Sequence, residues 1–349
     1  GDVSDILFTS GTTGRAKGVV TTHGQNLAAF STFADILGLD PEDRYLIINP
    51  FFHSFGYKAG WLAALLKGAT VYPMAVFDVP AVLSAIKTHD ITVMPGPPTL
   101  FQSILMHPDL DPADIATLKK ATTGAAVIPT QLIVDMRHTL GIDTVITAYG
   151  LSETCGLVTM CRQGDSPDVI AHTSGRAIPN IEVAIMDTEG RICDADEPGE
   201  IVVRGYNVMV GYFNNPEATA ETIDTDGWLH TGDIGTLDVD GNIRITDRLK
   251  DMFISGGFNC YPAEIENQLL QHKHVAQVAV IGMPDERMGE VCAAFVVPTP
   301  NSGINDASLI AWSREHMANY KVPRRVIFTD TLPLNASGKV LKTTLRTML

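Results

Sequence analysis

Three features of the sequence predict an α/β large domain with a β-rich subdomain, followed by a small α+β C-terminal domain. Short apolar runs of strand length alternate with amphipathic stretches through the first half. Near Glu182 the long amphipathic stretches give way to strand-length runs separated only by turn residues. Beyond the charged segment Asp247-Arg248-Leu249-Lys250-Asp251 a compact mixture of helix and strand patterns begins. The boundaries expected from these changes are 1–180 for the α/β region, 181–248 for the β-rich subdomain and 249–349 for a mobile C-terminal domain.

Each element has a local cause. Ile6-Leu7-Phe8, Tyr45 to Asn49, Ile91 to Met94 and Thr144 to Thr147 are apolar or β-branched runs and read as buried strands. Thr22 with Gln25 forms a capping box. It opens a helix with Leu27, Phe30, Ala34 and Leu37 on one face, stopped by Gly38. Asp78 caps a second helix that carries Pro80 in its first turn. Glu182 to Met186, Glu200 to Val203 and Asn242 to Thr246 read as strands of the subdomain. In the last domain a helix starts at Pro262, with Glu264 and Glu266 where the helix dipole favours acids. Strands follow at Gln277 to Ile281 and Cys292 to Val297, then a helix from Asp306 to Asn319.

Composition narrows the function. The 349 residues carry 25 basic and 40 acidic side chains, a net charge of −15. Nucleic-acid binding wants a basic surface, so it is not expected. An anionic ligand would have to be held by local donors rather than by the overall field. The five cysteines form no C-x-x-C pair and read as free thiols of a reducing compartment. No apolar run approaches the ~20 residues of a membrane span. The expected setting is the cytoplasm, with a small-molecule partner; the oligomeric state, a homodimer included, is left open.

The chemistry is concentrated in a few motifs. Thr9-Ser10-Gly11-Thr12-Thr13-Gly14-Arg15-Ala16-Lys17-Gly18 directly follows a predicted strand. Its glycines let backbone amides converge on an anion, its hydroxyls add donors and Lys17 adds charge, which suits a polyphosphate. It is not a G-x-x-x-x-G-K-[ST] loop, because Gly18 follows Lys17. Further along stand Gly124-Ala125-Ala126, Thr147-Ala148-Tyr149-Gly150-Leu151-Ser152-Glu153-Thr154, Trp228-Leu229-His230-Thr231-Gly232-Asp233, Arg248 with Lys250, Ser255-Gly256-Gly257-Phe258, and Asn335-Ala336-Ser337-Gly338-Lys339. Individually, Glu153, Asp233, Lys250 and Lys339 read as ordinary polar surface or turn residues.

In this order, and over essentially the whole chain, these motifs resemble the adenylate-forming superfamily: acyl-CoA synthetases, firefly luciferase and amino-acid-activating adenylation domains. The resemblance implies ATP, Mg²⁺ and coenzyme A. It implies ATP or AMP contacts at Thr9 to Gly14, Lys17, Ala125, Ala126, Thr147 to Gly150 and Ser152, with Tyr149 stacking on adenine. Glu153 would hold the metal and Thr154 would donate to phosphate. Asp233 and Arg248 would bind ribose. Lys250 would be the hinge of the small domain, Gly256 and Gly257 would border the pantetheine tunnel, and Lys339 would reach the α-phosphate and carboxylate. Ser152 stands where the family commonly has Thr, and Asn335 where a basic residue is often found.

Phe51-Phe52-His53-Ser54-Phe55-Gly56 bears on the substrate. Amino-acid-activating relatives carry an Asp at the position of His53 to pair with the substrate ammonium. The resemblance therefore implies another acid, with His53 gating the acyl and thiol sites. His53, Phe55, Gly56, Gly124, Ala125 and Gly150 would shape the acyl pocket. Asn49 to Gly60 is similar to actinobacterial fatty-acid-class acyl-CoA ligases, in particular those that activate the bicyclic propanoate left by steroid-ring degradation. Medium-chain fatty acids and aryl acids remain alternatives. Family members carry a substantial N-terminal portion ahead of the phosphate loop, so the chain is expected to be a partial large domain that lacks this subdomain. Two other readings stay open: a catalytically incomplete binder of acyl-adenylates or nucleotides, and an oxidoreductase of the luciferase sort.

Overall fold

The structure is a computed structural model that describes residues 1–9, 16–124, 128–334 and 340–349. Contacts divide the chain into two units: Gly1–Thr231 with Thr236–Ile245, and Gly232–Gly235 with Thr246–Leu349.

The first unit opens on β1 (Val3–Thr9) and β2 (Lys17–Thr22), an antiparallel pair. Strands β3 (Arg44–Ile47), β4 (Thr70–Pro73), β5 (Val93–Pro95), β6 (Lys120–Thr123) and β7 (Thr144–Tyr149) pair in parallel in the order β4-β3-β5-β6-β7. Two short antiparallel strands, β8 (Thr159–Met160) and β9 (Arg176–Ala177), extend that sheet beyond β7. Parallel neighbours need crossovers, and the helices at His23–Leu37, Val79–His89, Pro98–Leu105 and Thr130–His138 lie between the strands in sequence. Their apolar faces and the sheet form the main core, from Phe30 and Phe33 through Tyr45 and Phe101 to Ile146. The β-rich part follows. β10 (Ile181–Met186) pairs antiparallel with β11 (Gly199–Gly205), and β12 (Gly211–Tyr212) returns to add a third strand beside β2. β13 (Leu229–Leu237) and β14 (Ile243–Arg248) complete a sheet of order β10-β11-β13-β14. The observed architecture is the α/β region with a β-rich part that the sequence predicts.

The second unit is α+β, as expected. A tight hairpin joins β15 (Phe253–Ser255) to β16 (Phe258–Cys260). The long antiparallel pair β17 (Val275–Asp285) and β18 (Gly289–Pro298) forms the centre, with β19 (Arg325–Phe328) parallel to β18. Helices at Pro262–Leu269 and Asp306–His316 accompany this sheet. Phe253, Ile265, Leu269, Val280, Val296 and Leu309 share its largest apolar cluster. The helix that begins at Asp306 stops at His316, three residues before the expected end.

Two expectations for the first unit need correction. β1 is not a buried strand: Phe8 is 69% exposed. Among the described residues it lies at the edge of the order β1-β2-β12, paired with β2. In the helix His23–Leu37 the capping box and the left-handed Gly38 are present, yet Leu27 is 44% exposed. The buried face runs through Asn26, Ala29, Phe30, Phe33, Ala34 and Leu37 instead. A polar Asn26 is tolerated there because its amide donates to Asp5 Oδ2 at 2.6 Å and to Thr21 Oγ1 at 3.1 Å.

That polar cluster exists to match a buried charge. Lys58 is 0% exposed. Its ammonium lies 3.3 Å from Asp5 Oδ1 and donates to Thr21 Oγ1 at 3.2 Å. Lys58 sits on a π-helical turn, Tyr57–Leu62, whose Ala59 carbonyl accepts from the Tyr45 hydroxyl at 2.9 Å. π-turns are rare and recur at functional sites. Removing one partner of a buried ion pair strands the other. Lys58→Met is therefore expected to lower stability by about 3 kcal/mol in urea unfolding, and adding Asp5→Asn should recover part of that loss.

Candidate functional site

Thr9 closes β1 and Lys17 opens β2, and the two are register partners. The Thr9 hydroxyl donates to the Lys17 carbonyl at 3.5 Å. Ser10, Gly11, Thr12, Thr13 and Gly14 lie outside the described residues, as do Ala125, Ala126, Asn335 and Lys339. The structure thus fixes the two ends of the predicted phosphate loop. The Lys17 ammonium stands 4.6 Å from the centroid of the Tyr212 ring.

Thr147, Ala148 and Tyr149 end β7, at the carboxyl edge where open α/β sheets place their ligands. The Thr147 side chain turns inward, its hydroxyl within reach of the Ile170 and Thr173 carbonyls at 3.3 and 3.1 Å. The Tyr149 ring is 9% exposed and packs with Val158, Ile185, Ile201, Val203 and Ile243. Gly150 follows because nothing larger fits: a Cβ there would come within 2.3 Å of the Gly156 carbonyl group. The chain then makes a single 3-10 turn, Ser152–Thr154. Thr154 is fully buried, its hydroxyl donates to the Leu151 carbonyl at 3.0 Å and it accepts from the Leu151 N–H at 2.9 Å. Thr154 shapes the turn that presents its neighbour Glu153.

Glu153 is half-buried. Its Oε1 accepts from the Tyr212 hydroxyl at 2.9 Å, and its carbonyl accepts from the Met209 N–H at 2.8 Å. Sequence reasoning missed Tyr212; Gly211-Tyr212 is a two-residue strand without a periodic signal. As a metal ligand Glu153 fits Mg²⁺, which takes one or two carboxylates and completes its shell with phosphates and water. Among the described residues no cluster of three or more His, Cys, Asp or Glu forms an all-protein cage.

The acyl segment lies against the same turn. A Cβ on Gly156, which has φ +96°, would meet Ser54 Cβ at 3.1 Å and Phe30 Cζ at 3.5 Å. This contact brings the 150–157 segment beside His53, Ser54 and Phe55. Gly56 is buried, and a Cβ there would collide with the Asn49 and Pro50 carbonyls at 2.3 Å. His53 is exposed, and its Nδ1 accepts from the Phe55 N–H at 3.2 Å. Chain packed around its ring holds its pKa below the usual value, which favours the neutral imidazole. Gly124 follows β6, 3.8 Å (from its ideal Cβ) from the Ala148 carbonyl oxygen. The Tyr57–Leu62 turn that follows Gly56 carries the buried Lys58, which the sequence motifs do not single out.

The second unit holds its own group of predicted residues. Arg248 Nε lies 2.6 Å from Asp233 Oδ1, and the Leu249 N–H donates to the Gly232 carbonyl at 2.8 Å. The predicted ribose pair is therefore in direct contact. Lys250 is exposed, and desolvation by the chain packed near it is the main cause of a pKa below the ordinary lysine value. Gly256 and Gly257 form the β15–β16 turn with φ +60° and +87°, the two positive values of a type I′ hairpin. A Cβ on Gly256 would meet Met288 Cε at 2.5 Å, while one on Gly257 would meet nothing within 4 Å. Gly257 thus presents bare backbone. Asp247 accepts from the Arg248 N–H at 2.6 Å and from the Ala263 N–H, in the first turn of the Pro262–Leu269 helix, at 2.7 Å. Burial outweighs these bonds and pushes its pKa up to about 6.

Known proteins resemble this chain over nearly its whole length. The AMP-binding enzyme family matches residues 1–213, and the AMP-binding enzyme C-terminal domain matches 264–339. The chain is 55% identical over 345 residues to the 3-[(3aS,4S,7aS)-7a-methyl-1,5-dioxo-octahydro-1H-inden-4-yl]propanoyl:CoA ligase of Rhodococcus jostii, covering 99% of this chain and 65% of that one. A ligase of the same name from Mycobacterium tuberculosis is 55% identical over 345 residues, at 99% and 66% coverage. The chain thus spans just under two thirds of the length of these two relatives. Among solved structures, ATP-bound MatB from Rhodopseudomonas palustris matches with a TM-score of 0.91 and 32% identity, over 99% of this chain and 68% of that one.

Asp247 gives the second unit a measurable pH dependence. Its folded pKa lies above the unfolded value of 3.8, so the native state holds a proton that the unfolded chain releases. Its contribution is fully present below pH 3.8 and is lost as pH rises through about 6. Asp247→Asn cannot ionise. Its stability relative to wild type should rise between about pH 4 and pH 7 by on the order of 2–3 kcal/mol, as read by calorimetric unfolding at both pH values.

Proposed function

The chain belongs to the AMP-binding enzyme family, and from that premise we propose that it joins a carboxylic acid to coenzyme A using ATP. In the first half-reaction the acid's carboxylate attacks the α-phosphorus of ATP, giving an acyl-adenylate and pyrophosphate. In the second, the coenzyme A thiolate attacks the acyl carbonyl and AMP leaves. The observation that carries this reading is the 55% identity, along 99% of the chain, with two propanoyl:CoA ligases. The site geometry is consistent with it.

The protein's task in such a reaction is to position the reactants and stabilise developing charge. Asp233, oriented by Arg248, would accept both ribose hydroxyls through its two carboxylate oxygens. The loop bounded by Thr9 and Lys17 would surround the phosphates. Glu153 would hold Mg²⁺, which when bound neutralises charge on the departing pyrophosphate. Lys339 would approach the α-phosphate in the first half-reaction and withdraw by rotation about Lys250. Gly257, with its bare backbone, would then border the pantetheine arm, and the neutral His53 would stand between the acyl and thiol sites.

For the acid, we favour the bicyclic propanoate that names the two relatives. His53 stands in a segment, Phe51 to Gly60, that holds aromatics and glycines and no carboxylate to receive a substrate ammonium. Five free thiols suit a reducing compartment, and among the described residues no helix is long and apolar enough to cross a membrane. The cytoplasm, which supplies ATP and coenzyme A, is the proposed setting.

The test is pyrophosphate release and thioester formation with a panel of acids. The bicyclic propanoate should give both, ahead of fatty, aryl and amino acids. Release without thioester would favour a luciferase-like or carrier-protein route, and no release with any acid would favour a nucleotide binder. Two variants should separate the half-reactions. Lys339→Ala should slow adenylation by about 10²–10³-fold with little effect on thioester formation from supplied acyl-adenylate. Gly257→Leu should do the reverse; equal losses in both steps would defeat these assignments.

A further inference from the structure

We propose that Tyr212 is a positioning residue that holds the carboxylate of Glu153 and the ammonium of Lys17 in one arrangement, so that metal-bound polyphosphate is gripped as a unit. This rests on the ligase reading above and adds to it a residue that none of the motifs contains.

Four observations carry it. The Tyr212 hydroxyl donates to Glu153 Oε1 at 2.9 Å, while the face of its ring lies 4.6 Å from the Lys17 ammonium. One side chain thus touches both groups, through different atoms and by different physics: a charge-assisted hydrogen bond at the tip and a cation–π contact at the face. The short strand that carries Tyr212 is itself tightly held. The Val210 N–H donates to the Val20 carbonyl at 3.0 Å and the Phe213 N–H to the Gly18 carbonyl at 2.7 Å. The Thr219 hydroxyl accepts from the Tyr212 N–H at 2.9 Å. The same strand segment also clasps the backbone of Glu153, through the Met209 N–H. Glu153 is therefore fixed at two points by residues 209–212, which are stitched to the strand that begins at Lys17.

The consequence is chemical. A carboxylate has two oxygens and about four lone-pair sites. A hydrogen bond to Oε1 removes the freedom of the terminal torsion and directs the remaining lone pairs. The phenol is placed to donate, because its O–H lies 2.9 Å from the Glu153 carboxylate. A buried tyrosine hydroxyl needs some partner in any fold, so the bond by itself is also what a purely structural role would produce. The two roles differ in what they do to metal binding.

The experiment is calorimetric titration of the chain with ATP, in Mg²⁺ and in EDTA, for wild type and Tyr212→Phe. Phenylalanine keeps the ring beneath Lys17 and removes only the hydroxyl. The expected result is that Mg²⁺ strengthens ATP binding about 3- to 10-fold less in the variant than in wild type, with affinity in EDTA unchanged. In a Glu153→Gln background, Tyr212→Phe should change nothing further. Tyr212→Leu, which removes the ring as well, should also weaken binding in EDTA. An unchanged metal response in Tyr212→Phe, or equal weakening with and without metal, would overturn the proposal and leave the ligase reading standing. Absence of ATP binding by the wild-type chain under both conditions would overturn the ligase reading and this inference with it.

Discussion

A lysine ammonium with no access to water has to be matched by its surroundings, and the first unit is arranged around that requirement at Lys58. Taking such a charge out of water costs several kcal/mol per ion unless a counter-charge and hydrogen bonds replace the lost hydration. Here the replacements come from separate parts of the chain: Asp5 on β1, Thr21 on β2, and Asn26, which bonds to both, on the first long helix. Lys58 itself arrives on a π-helical turn. Satisfying one ion therefore fixes the β1–β2 pair against the segment that carries His53, Phe55 and Gly56.

The same pair is held a second time, at its other end. β12 adds beside β2, pairing Gly211 with Val20 and Tyr212 with Val19. The two strands that bound the Ser/Thr/Gly loop are thus anchored by an ion pair at Asp5 and by a strand ladder near Lys17. Rigid edges around a glycine-rich stretch are what converging backbone donors need, because a loop whose ends drift cannot present its amides to one phosphate. Glu153 belongs to this arrangement through Met209 and Tyr212. The ribose pair Asp233–Arg248 belongs to the other unit, together with Lys250 and Gly257. Residues assigned by resemblance to one reaction are therefore divided between two compact bodies.

Features whose cause is local were legible in the sequence. The Thr22–Gln25 capping box, the Gly38 stop, the Asp78 cap and the Pro262 helix start depend on neighbours within four residues, and all are present. The alternation of strand and helix gave the fold class for the same reason. What depended on partners far along the chain was misread. Leu27 and Asn26 exchange places on the helix face because Asp5 and Thr21, outside the helix, receive the Asn26 amide. Phe8 is apolar yet exposed, because burial depends on what covers its face of the sheet, and a strand pattern does not carry that.

By itself the sequence determined the order and the residue types of the site: a hydroxyl- and glycine-rich loop, one acid after β7, an acid and an arginine fifteen residues apart, and paired glycines at a hairpin. These are properties of short segments and of their sequence order, and they suffice to place the chain in its family. Only the tertiary structure decided which of those side chains face one another. It joined Asp233 to Arg248, turned Thr154 inward, buried Lys58 against Asp5, and set Tyr212 between Lys17 and Glu153. Tyr212 lies 195 residues from Lys17 and 59 from Glu153, by subtraction of their positions in the chain. No periodicity or local spacing encodes a contact across such distances; it follows from the strand ladder that brings β12 to β2.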